Sequence, residues 1–391
     1  MLRNSGRLIL PSYSTVKRLT YAMKSSPEIE QQDANFLFYI KHKFKYLSSN
    51  DKFVTLMVDE IHIKQYFDYK CGSVVGTAYD SIEAASSAFV FMLNSVLSKY
   101  KEVVHVLPVK KIDAETLFSF IRKIILGLEN IGIKVICVVT DNNAINSRAM
   151  SFFAKPSKLS FVYPHPADKS RPLFFLFDSV HIFKCIRNNW ISLKNDGKSM
   201  NFPKFDFSFQ LYDFSETYFA PFSTLYELHK LEVDKIIKFS YNLSLKALFP
   251  SNFERQNVKL VLKVFNENIS NSLNALGPSH NLPHHNGLSV FIKIITRWWS
   301  VMNVNTLFKG VRLNDNYQEP LTCSTEDVKL KFLHYFLDWL DAWNCIENNV
   351  GKLSKQTFTA LKHTTHGIIE LSRYCTSELN LEYILLGKYQ T

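Results

Sequence analysis

At 391 residues, with 46% hydrophobic and 14% aromatic side chains, the chain can bury a large core, and a disordered protein is excluded. Lys and Arg outnumber Asp and Glu by 46 to 35, a formal charge of +11 that favours polyanionic partners. The six cysteines form no CxxC pair, which excludes zinc ribbons and dithiol redox motifs, and no apolar run nears the ~18 residues of a membrane span. Reduced intracellular thiols and no membrane partner are the expectations.

Residues 1–50 read as a helical segment. Ser14 suits the cap of a helix starting at Thr15, and Glu28–Tyr46 carries Phe36, Phe38, Ile40 and Phe44 at roughly helical spacing. Lys41, Lys43 and Lys45 read as a solvated face. From Phe53 the pattern changes: Phe53–Val58 predicts a strand running into Asp59-Glu60, Cys71–Ala78 a second strand and Val103–Val109 a third. Asp113–Asn130 predicts an amphipathic helix with an acidic first turn and Gly132 as its C-cap. Val135, Ile136, Val138 and Val139 then make a short β-branched run, enough for one buried strand over Lys134–Asp141. It stops at Thr140-Asp141-Asn142-Asn143, small polar residues suited to a turn and a helix N-cap. A helix over about Ala144–Phe153 follows, then a strand over Leu173–Phe177 ending at Asp178, and at once the helix SVHIFKCIRNNWISL.

Three strands followed by helix, strand, helix, strand, helix is the layout of the ribonuclease H fold. The fold class is α/β, a mixed sheet made of a three-strand meander and then alternating helices and strands. In that topology the first and fourth strands lie side by side, which would bring Asp59 and Asp141 to one edge. Two neighbouring carboxylates repel each other unless a divalent cation joins them, and Mg²⁺ takes oxygen ligands while bridging phosphate oxygens. The plainer alternative is that each aspartate serves a turn or caps a helix.

Three phrases carry more than spacing can: Val58-Asp59-Glu60 with Ile63, Val139-Thr140-Asp141-Asn142, and the run from Phe177-Asp178 through His181, Lys184 and Arg187 to Trp190. Together they resemble the transposases of the P element type, which include the THAP-domain-containing ones. The last run is similar to that family's FDxxHLxKxIRNNW phrase. Phe253–Leu260 and Trp298–Val304 resemble the helical insertion that interrupts the family's catalytic fold. Leu353–Phe358, Ile368–Leu371 and Tyr383–Lys388 resemble its returning helices. The resemblance implies a helical N-terminal segment at 1–50, the first part of the catalytic core at 51–204, an all-α insertion at 205–314 and a helical return at 315–391.

It also implies Mg²⁺-dependent DNA cleavage and strand transfer by two aspartates and a glutamate. Asp59 and Asp141 would be the two aspartates and the metal ligands, while Asp178, His181, Lys184 and Arg187 would hold DNA beside them. For Asp178 and His181 the alternative is capping and packing of their helix. The family's glutamate follows the LLGK segment in a D-x-L-E phrase, whereas this sequence reads Lys388-Tyr389-Gln390-Thr391, and Glu370, Glu378 and Glu382 stand at other positions. The zinc-binding reader domain has no counterpart near Met1. The expectation is a core truncated at both ends and catalytically incomplete; the alternative is a non-catalytic, transposon-derived module that binds DNA or a partner.

In the insertion, Leu225–Tyr241 and Val258–Leu276 read as long helices. Family members bind GTP there, but this chain has no GxxxxGK[ST] loop. Trp299-Ser300 stands where the family phrase has Phe-Asp, and Asn242-Leu243-Ser244 where relatives have Lys-Leu-Thr. Asn303 remains as the nucleotide-binding candidate. His280, His284 and His285 read as loop polarity, since their spacing fits no usual zinc set. The implied partners are transposon-end DNA and a second copy or a full-length relative, in the nucleus.

Overall fold

The computed structural model describes residues 36–70, 73–79, 81–347 and 350–390. The helix expected from Thr15, its cap Ser14 and the start of the Glu28–Tyr46 helix lie outside the described residues. Two compact units divide the chain, Met1–Val54 with Asp59–Val135 and Thr55–Val58 with Ile136–Thr391.

Among the described residues the strands are β1 Phe53–His62, β2 Asp68–Lys70, β3 Ser73–Val75, β4 Ser87–Ser95, β5 Lys101–Val109, β6 Lys134–Thr140, β7 Val162–Pro164, β8 Pro172–Phe177, β9 Ser199–Pro203 and β10 Thr217–Pro221. Six of them form one sheet in the order β5-β4-β1-β6-β8-β7. It is mixed: β4 and β5 are antiparallel, β6 and β8 parallel, and β7 runs antiparallel to β8. This is the RNase H-like arrangement that the order of elements predicts.

One strand of the meander is not where the sequence pattern puts it. Residues 73–75 of the expected Cys71–Ala78 strand pair with β2 in a separate small hairpin, and the second long strand is β4. The β4 residues SAFVFMLNS are buried along most of their length, so no inside-outside alternation marks them as a strand.

In the first unit the Ala114–Ile131 helix buries Leu117, Ile121, Ile124, Ile125 and Leu128 along one face. Asp113 caps it, accepting the Thr116 N–H at 2.7 Å, and Gly132 ends it at φ 102°. The short Phe38–Phe44 helix follows Phe36 and Leu37, which press on Gly127; a β-carbon there would stand 2.7 Å from a Leu37 methyl. Lys41 and Lys45 face solvent, and Lys43 pairs with Glu102.

In the second unit the Lys355–Ser377 helix lies on β8. Thr364 Oγ1 accepts the Phe177 N–H at 3.0 Å, and His363 donates from Nε2 to the Phe175 carbonyl at 3.0 Å. β9 and β10 form a hairpin stitched down by three buried indoles: Trp190 donates to the Ala220 carbonyl at 2.9 Å, Trp339 to Pro203 at 2.7 Å and Trp343 to Asn201 at 2.6 Å. The span expected to be wholly helical therefore carries one strand, β10.

Both long helices expected in the insertion are shorter. The first covers Ser223–Glu232; there the buried Glu232 carboxylate accepts the N–H groups of Phe239 at 2.7 Å and Ser240 at 2.9 Å, folding the chain back. The second is two helices, Val258–Leu262 and Glu267–Leu276, the latter capped by Asn266. Part of the histidine-bearing loop is helical too, because His285 opens the His285–Met302 helix. Among the described residues no helix is long and apolar enough to cross a membrane, and the five cysteines among them are free thiols.

Candidate active site

Thr140, the last residue of β6, pairs with Phe177, the last of β8, and the Asp178 N–H donates to the Thr140 carbonyl at 2.7 Å. Asp141 and Asp178 are thus the next residues beyond one rung of two parallel strands. In open α/β sheets this carboxyl-terminal rim is where ligands bind.

The two aspartates have different surroundings. Asp141 is half-buried, and its Oδ1 accepts the Asn143 N–H at 3.1 Å and the side-chain amide of Asn146. Its Oδ2 makes no hydrogen bond among the described residues. The cap of the following Ala144–Ser151 helix is Asn143, which accepts the Ile145 N–H at 3.0 Å. Asp141 is therefore not spent on capping. Asp178 is: it is 0% exposed, and Oδ1 accepts the Val180 N–H at 3.0 Å at the head of the Ser179–Ser192 helix. The capping alternative describes Asp178 well.

His181 and Lys184 lie half-buried on that same helix. Burial pushes the neighbouring Cys185 thiol up, with the Lys184 charge and a hydrogen bond from Asn142 opposing the rise and Asp141 adding to it. Cys185 is thus within electrostatic reach of Lys184 and Asp141. Arg187 is 0% exposed and donates from Nη2 to the Arg255 carbonyl at 3.0 Å, so it lies on the inner side of the helix. The reason is the helix's buried side, formed by Phe183, Ile186, Arg187 and Trp190.

Asn303 ends the His285–Met302 helix, where its Oδ1 accepts from Asn305 at 3.3 Å and its carbonyl takes the Lys309 ammonium. Trp299 is core, stacked on Phe183 with centroids 4.4 Å apart and an interplanar angle of 10°. Asp59, described within the first unit, does not end its strand. Burial stops at Val58, but β1 continues to His62 and Asp59 is half-buried within it.

Three groups at this rim escaped the sequence reading. Asn146 grips Asp141; Gln356 donates its amide to the Asn142 carbonyl; and Gln390 donates to Ser179 Oγ at 2.9 Å and to the Met302 carbonyl at 2.8 Å. A cavity of about 430 Å³ opens beside Asn142, with Lys355, Gln356 and Phe177 among its walls. Only Asn146 had a local signal, a polar residue one helical turn past the Asn142-Asn143 turn. The two glutamines come from far along the chain.

As to a metal, the donor at Asp141 fits: an oriented carboxylate with one oxygen left over is a hard oxygen ligand of the kind Mg²⁺ takes. Among the described residues no group of three or more His, Cys, Asp or Glu gathers to complete a ligand set.

A mixed sheet with carboxylates at its rim and a largely helical second half defines the class, an RNase H-like core with helical additions. Residues 32–154 match the family described as TNP-like, RNase H N-terminal domain, a span containing both Asp59 and Asp141. The P transposase of the transposable element P from Drosophila melanogaster is 21% identical over 257 residues, covering 65% of this chain and 30% of that protein. The solved Drosophila P element transposase strand transfer complex superposes with a TM-score of 0.73 at 16% identity, over 97% of this chain and 77% of the other. In sequence and in fold the chain is similar to the P-element-type transposases. Its match spans 30% of the length of that curated relative.

Proposed function

We propose that this chain is the core of a DNA transposase that cleaves a phosphodiester and joins the freed end to a second DNA. Asp59 and Asp141 are the metal ligands in this reading. Bound Mg²⁺ would supply activation of an attacking water or 3′-hydroxyl and offset charge on the leaving oxygen. The protein's own part is orientation. Asn143 and Asn146 fix Asp141 through Oδ1, so that Oδ2 is presented at the rim. Lys184 and His181 bind backbone phosphates, which set position without reading sequence. Asp178 holds the start of the helix that carries them.

The observation that carries this reading is Asp141 itself, fixed by one oxygen and open at the other at the end of a buried strand. Support also comes from the consecutive places of β1 and β6 in the sheet order and from the family match that contains both aspartates. GTP has less behind it, because Asn303 spends its side-chain oxygen on Asn305. A DNA substrate implies residence in the nucleus.

The test is nicking of supercoiled plasmid by the purified chain with Mg²⁺ or with EDTA. Mg²⁺-dependent nicking that disappears in Asp141→Asn is the expected result; equal nicking by that variant sinks the reading. A second reading, a DNA-gripping module without cleavage, is favoured by the lack of a three-membered acidic group among the described residues. Under it neither protein nicks, and both bind duplex DNA.

A further inference from the structure

Inside the second unit Arg187 reaches the backbone of Arg255, and no ion pair holds either guanidinium among the described residues. Arg187 is 0% exposed; Nη2 donates to the Arg255 carbonyl at 3.0 Å, but Nε and Nη1 find no hydrogen-bond partner among the described residues. Arg255 repeats the pattern: Nη1 reaches Ser192 Oγ at 3.3 Å while its Nε is buried and unpartnered. Asn188 donates to the same Arg255 carbonyl at 3.2 Å, which pins this backbone in place. Glu254, the adjacent acid, is turned away to Lys246 at 2.8 Å and to the Ser251 N–H at 2.9 Å. Burial first, and then the Arg255 charge, pull the Arg187 guanidinium down to about 10.

A buried cation with idle N–H groups is costly unless an anion meets it; Arg187 is such a cation, and the half-exposed Arg255 stands next to it. Guanidinium forks match the oxygens of phosphate groups better than any other side chain. Arg255 is half-exposed, which leaves its side of the pair open to solvent. We propose that Arg187 and Arg255 form a binding site for a phosphate group. A DNA phosphodiester and a free phosphate share this chemistry, and the test separates them.

The full chain is melted at constant ionic strength in chloride and in inorganic phosphate. Phosphate is expected to raise the melting temperature by about 2–4 °C, and Arg255→Gln is expected to lose at least half of that rise. Arg187→Lys, which keeps the charge but removes the idle fork, should lose it similarly; if that variant does not fold, Arg255→Gln decides. An equal rise in parent and Arg255→Gln is a general salt effect and overturns the site, as does no rise in the parent. In the second arm, duplex DNA affinity is measured against salt. A slope of log K against log salt shallower by about 0.9 in Arg255→Gln assigns the phosphate to DNA; an unchanged slope with the phosphate shift lost assigns a free phosphate. Both arms read binding alone, so a failure to cleave DNA leaves this site untouched.

Discussion

The two oxygens of Asp141 are tied differently, and a substitution can separate them. Asn146 is 3% exposed and spends its amide on Oδ1, so Asn146→Ala leaves that oxygen held by the Asn143 N–H alone and loosens the carboxylate. Groups that orient a metal ligand typically cost 10–100-fold in metal affinity when removed, so the Mg²⁺ concentration for half-maximal nicking should rise by at least about tenfold. A Mg²⁺ titration checks this, and an unchanged midpoint would make Asn146 a purely structural residue. Asp178 calls for the opposite test. Asn caps a helix as well as Asp does, so Asp178→Asn should cost less than Asp178→Ala, which should lose about 1–2 kcal/mol in urea unfolding. If Asp178→Asn also loses DNA affinity, the carboxylate does more than cap. The place of Asp141 at a strand end was legible in the sequence because a β-branched run stops there at small polar residues, a pattern that a turn or a helix cap would share. Arg187 was not: its spacing from Lys184 suggests a shared face, but only the packing of Phe183, Ile186 and Trp190 reveals which side of the helix is inside.

The Lys355–Ser377 helix fixes the end of β8, and two of its residues show how closely. A β-carbon at Gly367 would lie 2.5 Å from a Leu176 methyl, so Gly367→Ala should destabilise by about 1–3 kcal/mol even though alanine is the better helix former. Thermal melting reads it directly. His363 is buried against Phe175, Phe177 and Phe161, and desolvation brings its pKa from 6.5 to about 4. The folded state therefore prefers the neutral ring, while the unfolded chain takes up a proton below pH 6.5. Stability is complete above that point and falls as pH drops towards 4, a limb to which the desolvated His334 adds. His363→Gln should flatten this limb in urea unfolding at stepped pH; an unaltered limb would mean that the ring is not the titrating group. Glu254, held down to about 2, comes into play only at lower pH. None of this docking is written locally, since Gly367 in isolation reads only as a weak helix position. The break before Glu267 is different, because Asn266 is a capping residue in plain view within the apparently continuous run.

At the scale of the molecule, the alternation of strands and helices suffices for the RNase H-like sheet even though its second long strand is Ser87–Ser95 and not Cys71–Ala78. The order holds because β4 still falls between β1 and β5 in the chain, while its burial on both faces erases the period-two signal. The hairpin of β9 and β10 was invisible for another reason: it depends on indoles from Trp190, Trp339 and Trp343, two of them more than a hundred residues away. The global property that the sequence states most directly is its charge of +11, and it makes a quantitative claim. Each phosphate neutralised on B-form DNA releases counterions and contributes about −0.9 to the slope of log K against log salt. If Lys184 makes one such contact at the rim, Lys184→Gln should make the slope shallower by about 0.9 and weaken binding to unrelated duplexes alike. Asp141→Asn removes a negative charge beside the DNA and should leave that slope unchanged while tightening binding at low salt. Fluorescence anisotropy with two duplexes of different sequence, titrated over a range of salt, measures all three. Weakening confined to one duplex would mean that Lys184 reads a base, and an unchanged slope would take it out of the interface.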